Sequence, residues 1–137
     1  MNIPIALAVP LVVLLVTAGW DLRTREIPHA APIALLMWAL VSRLAGFQEA
    51  DWMSAALGLS LGLAIGLGLF ALGVLGAGDG KLLSGLGAVI GPVGLLVTLP
   101  WISLAGGVAA IWARRRARAE VVYGPAIAVG YGFALCI

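Results

Sequence analysis

Apolar runs separated by polar islands of a few residues, most of them near the length that crosses a lipid bilayer, leave this chain little choice of fold. They lie near residues 3 to 20, 30 to 46, 53 to 75, 82 to 91, 93 to 113 and 122 to 137. A bilayer core about 30 Å thick takes roughly 20 helical residues to cross, and inside it an open backbone finds no water to bond to. Helices follow, because each satisfies its own backbone. With 63% hydrophobic and 10% charged residues and a mean hydropathy of +1.14, the composition lies far from that of a water-soluble domain. The expectation is an all-α, polytopic membrane protein with about six transmembrane helices, forming a single domain over residues 1 to 137.

The run from Leu82 to Ala113 is either two short spans or one over-long bent one. Gly91-Pro92, with Gly94 close behind, favours a turn. Charge placement agrees: with an outside start and six crossings, the islands at 21 to 29, 76 to 81 and 114 to 120 all face the cytoplasm. These islands hold Arg23, Arg25, Lys81, Arg114, Arg115, Arg116 and Arg118, leaving Arg43 alone outside, as the positive-inside tendency requires. Five crossings would put the arginine cluster outside. That cluster reads as a topology anchor and a seat for anionic lipid rather than a nucleic-acid surface. Trp20, Trp52 and Trp112, near span ends, read as interfacial anchors. The first apolar run lacks a preceding basic residue and a small-residue cleavage site, and so reads as a retained span rather than a signal peptide. Cys136 stands alone, which excludes an internal disulfide or a paired-cysteine zinc site. Ser54, Gly58, Gly62 and Gly66 recur every fourth residue, a small-residue face for close helix packing.

Against this apolar background two carboxylates stand out. Asp21 follows the first span in Gly19-Trp20-Asp21-Leu22-Arg23, and Asp79 lies just before the fourth in Gly76-Ala77-Gly78-Asp79-Gly80-Lys81. A carboxylate at the bilayer centre costs roughly 2.5 to 3.5 kcal/mol on insertion scales, so an acid kept at a membrane boundary is a functional candidate. Each also has a structural explanation, as a helix cap or as a partner of Arg23, Arg25 or Lys81. Two carboxyl groups sharing a proton can activate water against a peptide carbonyl, provided they lie close together. Gly78 and Gly80 leave room beside Asp79 for an extended substrate backbone. The helix ends favour Asp79 as the resting carboxylate and Asp21 as its protonated partner. Glu26 reads as solvated or paired with Arg25, Lys81 as reaching the head groups, and Glu49 and Asp51, on the opposite face, as dispensable.

Three segments in order, Asp21 followed by Ile27-Pro28, then Gly76-x-Gly78-Asp79-x-Lys81-Leu82-Leu83, then Tyr123-Gly124-Pro125-Ala126-Ile127-Ala128-Val129-Gly130, resemble the type IV prepilin peptidases. These membrane aspartyl proteases share the GxGD signature with presenilin. The resemblance implies GxGD aspartyl protease architecture and carries Asp21 and Asp79 over as the catalytic pair. Gly76, Gly78, Gly80, Lys81, Pro28, Tyr123, Gly124 and Pro125 are carried over as substrate-binding or supporting residues. His29 departs from the Asn or Asp that many relatives carry after the proline. Longer members add a cytoplasmic region with paired cysteines and methylate the product; this chain has no room for that region and looks most like the short, peptidase-only members of the Tad/CpaA type that serve Flp-like pili.

The implied activity is cleavage of a prepilin or pseudopilin leader at the cytoplasmic face of the bacterial inner membrane, with no metal or organic cofactor. Two other readings stay open: a small proton- or cation-coupled transporter, since intramembrane acids also mark ion paths, and a non-catalytic pilus assembly factor. The charge pattern generates a direct expectation. In a Cys136→Ser background, cysteines placed at Thr24 and Ala117 react with an impermeant thiol reagent from the cytoplasmic side. Reaction at either position from the outside alone would refute six crossings.

Overall fold

The computed structural model describes residues 4–24, 28–48, 51–115 and 124–136 and is helical throughout its regular elements. In chain order these are α1 (Ile5–Thr24), α2 (Ala30–Leu44), α3 (Trp52–Ala71), α4 (Ala77–Arg115) and α5 (Gly124–Cys136). Three helices are long and apolar enough to cross a membrane: Ile5–Thr24, Trp52–Ala71 and Ala77–Trp112; Ala30–Leu44 and Pro125–Cys136 are shorter apolar helices. Large apolar side chains such as Val16, Leu57, Leu67, Leu104 and Val108 lie exposed on the outer surface. Water would penalise that surface, whereas lipid accepts it.

Among the described residues five helical elements stand where six runs were expected, the fourth and fifth runs following one another in α4 with only a break at Gly91 between them. The 39 residues of α4 are not one straight rod. At about 1.5 Å per residue such a rod would measure about 60 Å, twice a bilayer core. Gly91 interrupts it with φ 76° and ψ 176°, a conformation open to glycine but strained for other residues. Pro92 then supplies no backbone donor, as suits the first position of a new helical stretch. Leu83 and Ile102 line one cavity, although a straight helix would separate them by about 28 Å. The chain therefore reverses at Gly91, as the Gly-Pro signal suggests.

The small-residue face of α3 packs as expected. Its buried residues are Gly58, Gly62 and Gly66. A Cβ on Gly58 would strike the Gly87 carbonyl, one on Gly62 would lie 2.7 Å from the Leu83 carbonyl oxygen, and one on Gly66 would lie 2.7 Å from the Gly80 Cα. The α3 and α4 backbones are thus in direct contact along three turns, and Ser54 continues the row by filling the space beside Gly91. α3 starts where Asp51 accepts the Ser54 N–H at 3.1 Å and stops at Gly73, with φ 71°. It ends at Ala71 rather than running to 75, leaving residues 72 to 76 as the approach to the fourth helix.

Polar ties fix the remaining helices. Pro10 inside α1 removes the donor that would bond the Ala6 carbonyl, and the Trp38 indole N–H from α2 takes that carbonyl at 3.0 Å. The Tyr131 hydroxyl donates to the Leu7 carbonyl at 3.1 Å, joining α5 to α1. Leu14, Leu35, Leu82, Leu86, Val89, Leu95, Ile127 and Tyr131 fill the space between. Trp20, Trp52 and Trp112 are exposed, as interfacial anchors require. Gly62→Val should lower stability by about 1 to 3 kcal/mol or more through overpacking. Gly68→Ala, whose Cβ meets nothing within 4 Å, should be tolerated. Thermal unfolding in detergent measures both, and equal midpoints for the two variants would contradict the backbone contact.

Candidate active site

The inward face of α1 is set by helical spacing: Ala6, Pro10, Leu14, Thr17, Ala18 and Asp21 are its buried residues. Asp21 continues this apolar stripe and so points into the bundle, while Trp20, Leu22 and Arg23 beside it are exposed. It is 5% exposed.

Asp79 lies inside the first turn of α4 rather than ahead of it, since the helix starts at Ala77. Its Oδ2 accepts the Gly76 N–H at 3.3 Å, a third-position acid reaching back to the residue before the helix. The carboxyl is 8% exposed, and its Oδ1 is buried with no hydrogen-bond partner among the described residues. Asp21 acts on Asp79 through its charge. The two acids of the sequence argument, distant along the chain, are thus brought within electrostatic reach in a region of low polarity. Asp79 does stand at a helix start, as the helix-end argument required, but it is also buried and coupled to Asp21. Coupled acids titrate as a pair, so the resting proton belongs to both.

The other expected residues divide. Gly76 supplies the N–H to Asp79, and a Cβ there would lie 3.3 Å from Oδ2. Gly80 was expected to leave space for substrate. It lies instead against Gly66, where a Cβ would meet that backbone at 3.3 Å, so its small size serves contact between α3 and α4. Gly78 is half-buried in the same turn. Lys81 is exposed, and two residues from Asp79 it occupies a different helix face. The Pro28 carbonyl accepts the Ala31 N–H at 3.0 Å and so opens α2, and His29 is exposed with no capping bond from its side chain. Gly124 starts α5, and Pro125 lines an apolar cavity of about 670 Å³ with Trp101, Val108, Trp112 and Phe133. Tyr123, Arg25, Glu26, Ile27, Glu49, Arg116 and Arg118 lie outside the described residues, as does the start of the sixth run at 122.

Sequence reading missed a second feature of this end of the bundle. A cavity of about 280 Å³ is bounded by Val74 and Leu75, just before the Gly76 turn, and by Leu83, one turn beyond Asp79 on its face. Ser103 and Gly106 close it from the far half of α4, and Ile127 from α5. No local signal marks these residues, because they come together only after the chain reverses at Gly91. The arrangement offers two coupled acids beside an apolar hollow at the end of a membrane-embedded bundle. Among the described residues, no three His, Cys, Asp or Glu side chains converge.

Comparison with known proteins adds an independent line. Neither the curated proteins nor the solved structures searched contain a match to this chain. A family model described as the type IV leader peptidase family matches residues 8–111, a stretch that holds both aspartates and all of α2 and α3. The chain therefore belongs to the type IV leader peptidase family of proteases.

Proposed function

We propose that this protein is a membrane aspartic endopeptidase that removes the leader of Flp-like prepilins at the cytoplasmic face of the inner membrane, with Asp21 and Asp79 as its catalytic pair. The observation that carries the reading is the burial of two carboxylates, one in the last turn of α1 and one in the first turn of α4, with Asp21 near enough for its charge to act on Asp79. Among the buried charged side chains described, only these two are acids. One carboxylate takes a proton from water as the water oxygen bonds to the peptide carbonyl carbon. The other acid donates a proton to the carbonyl oxygen and then, as the C–N bond breaks, a proton passes to the leaving amine. Atoms and protons balance with water as the sole co-reactant.

Burial strengthens the charge coupling that drives this chemistry, because little water screens the pair. The placement of both acids at helix ends suits a substrate whose apolar helix lies in the bilayer and whose polar leader reaches into the cytoplasm. The positive-inside count supports the cytoplasmic side. Six crossings accommodate that count, with the Gly91 reversal separating the fourth from the fifth. Gly76 orients Asp79 through its N–H, and the family resemblance makes Pro28, Lys81, Tyr123, Gly124 and Pro125 its supporting residues. Family membership favours a protease over the transporter and the assembly factor.

Asp21→Asn and Asp79→Asn should each lower leader cleavage by at least about a hundredfold, the scale of losing a general acid or base. Both variants should insert and accumulate like the parent protein. An electrophoretic processing assay with a candidate prepilin reads the outcome. Near-parental cleavage by either variant would remove the aspartate mechanism, and absence of cleavage by the parent across Flp-like prepilins would remove the substrate.

A further inference from the structure

Among the described residues, Arg43 is the one buried charged residue that the proposed reaction leaves unused. It was expected merely to sit on the outer side, yet it is 7% exposed, near the C-terminal end of α2. Its Nη1 donates to the Ala39 carbonyl at 3.0 Å and its Nη2 to the Val89 carbonyl at 3.4 Å, just before the Gly91 break. A guanidinium carries five N–H donors. These two bonds leave it with a surplus, and Nε is buried with no partner among the described residues. A cation kept inside a lipid-facing bundle needs more than two carbonyls to offset its lost hydration.

The space beside it is partly polar. A cavity of about 480 Å³ is lined by Arg43, Gln48, Asp51, Ser54, Thr98 and Tyr131. Leu7, at the start of α1, also borders it. It therefore lies at the end of the bundle opposite Asp21. Asp51 is exposed and exerts its charge on Arg43, while its Oδ1 is engaged by the Ser54 N–H. Among the described residues the charges on the wall of this open cavity are thus one buried cation with donors to spare and one exposed anion. Asp51 opposes a purely anionic ligand, and Arg43 opposes a purely cationic one. The complement is a zwitterion whose anionic group meets Arg43 and whose ammonium meets Asp51. Val89, Ile90 and Leu135 add an apolar wall, which suits the glycerol end of a lipid better than a free solute.

From this juxtaposition we infer that the cavity between Arg43 and Asp51 binds the phosphoethanolamine head group of a membrane phospholipid. The phosphate accepts from the guanidinium, and the primary ammonium donates to the Asp51 carboxylate. A trimethylated ammonium has no N–H to donate, so a choline head group binds less well. The site stands apart from the aspartate pair and does not depend on the protease reading.

The full-length protein in nanodiscs provides the test, with phosphatidylethanolamine, phosphatidylcholine or phosphatidylglycerol of identical acyl chains as the probe. Native mass spectrometry counts retained lipid, and thermal unfolding reports stabilisation. Retention of phosphatidylethanolamine over phosphatidylcholine should be roughly tenfold, as for one charge-assisted hydrogen bond. Adding glycerophosphoethanolamine to phosphatidylcholine discs separates the sources: the same stabilisation from the free compound would overturn the lipid assignment. Asp51→Asn keeps an efficient helix cap for α3 while removing the charge. It should abolish the preference for phosphatidylethanolamine and raise retention of phosphatidylglycerol. Equal retention of all three lipids by the parent protein, or an unchanged preference in Asp51→Asn, would overturn the inference. Arg43→Lys, which keeps the charge but loses the planar fork, should weaken retention of every phosphate-bearing lipid, and unchanged retention would count equally against it.

Discussion

Helices in lipid gain little by hiding leucine from leucine, so they are held by how closely their backbones approach and by the polar groups they share. In this protein the approach of α3 to α4 sets the rest. Three glycines spaced by four residues let the two backbones touch, and the last of these contacts, Gly66 on Gly80, is the residue after Asp79. The first turn of α4, and with it the carboxylate, is therefore positioned by packing rather than by a flexible loop. α3 contributes glycine to the interior and leucine and phenylalanine to the lipid.

Backbone accounting explains the longer-range ties. Wherever a helix is broken in a membrane, a carbonyl loses its partner and something must replace it. Pro10 frees the Ala6 carbonyl, which Trp38 takes. The reversal at Gly91 leaves carbonyls at the end of the first half of α4, and Arg43 takes the one from Val89. Each repair joins two helices that are distant in sequence. Irregularities in single helices thus become the connections among them.

Charge is distributed according to the same constraint. Among the described residues, the three buried charged ones occupy the two ends of the bundle, with Asp21 and Asp79 at one and Arg43 at the other. At the first end, like charges share a confined region, an arrangement suited to proton exchange. At the second, a cation faces an exposed anion across a cavity, an arrangement suited to holding a dipolar group. The same reluctance of lipid to solvate charge underlies both.

Much of this was legible in the residues alone. Apolar run length dictated helices, the four-residue spacing from Ser54 to Gly66 dictated a packing face, and Gly91-Pro92 marked the reversal, because each is a local property read over a few turns. The two aspartates could be chosen because an acid in an apolar chain is costly wherever the chain folds. The sequence could not show that Gly80 serves α3 rather than substrate, that Asp79 falls within its helix, or that Arg43 turns inward. Nor could it reveal the hollow formed by Leu75, Leu83, Ser103 and Ile127. These depend on which helices become neighbours after the chain reverses, and a side chain's partner across a helix interface leaves no periodic trace in its own segment. Local sequence determined which segments are apolar helices and which groups are costly to bury; tertiary packing alone decided which of those groups meet.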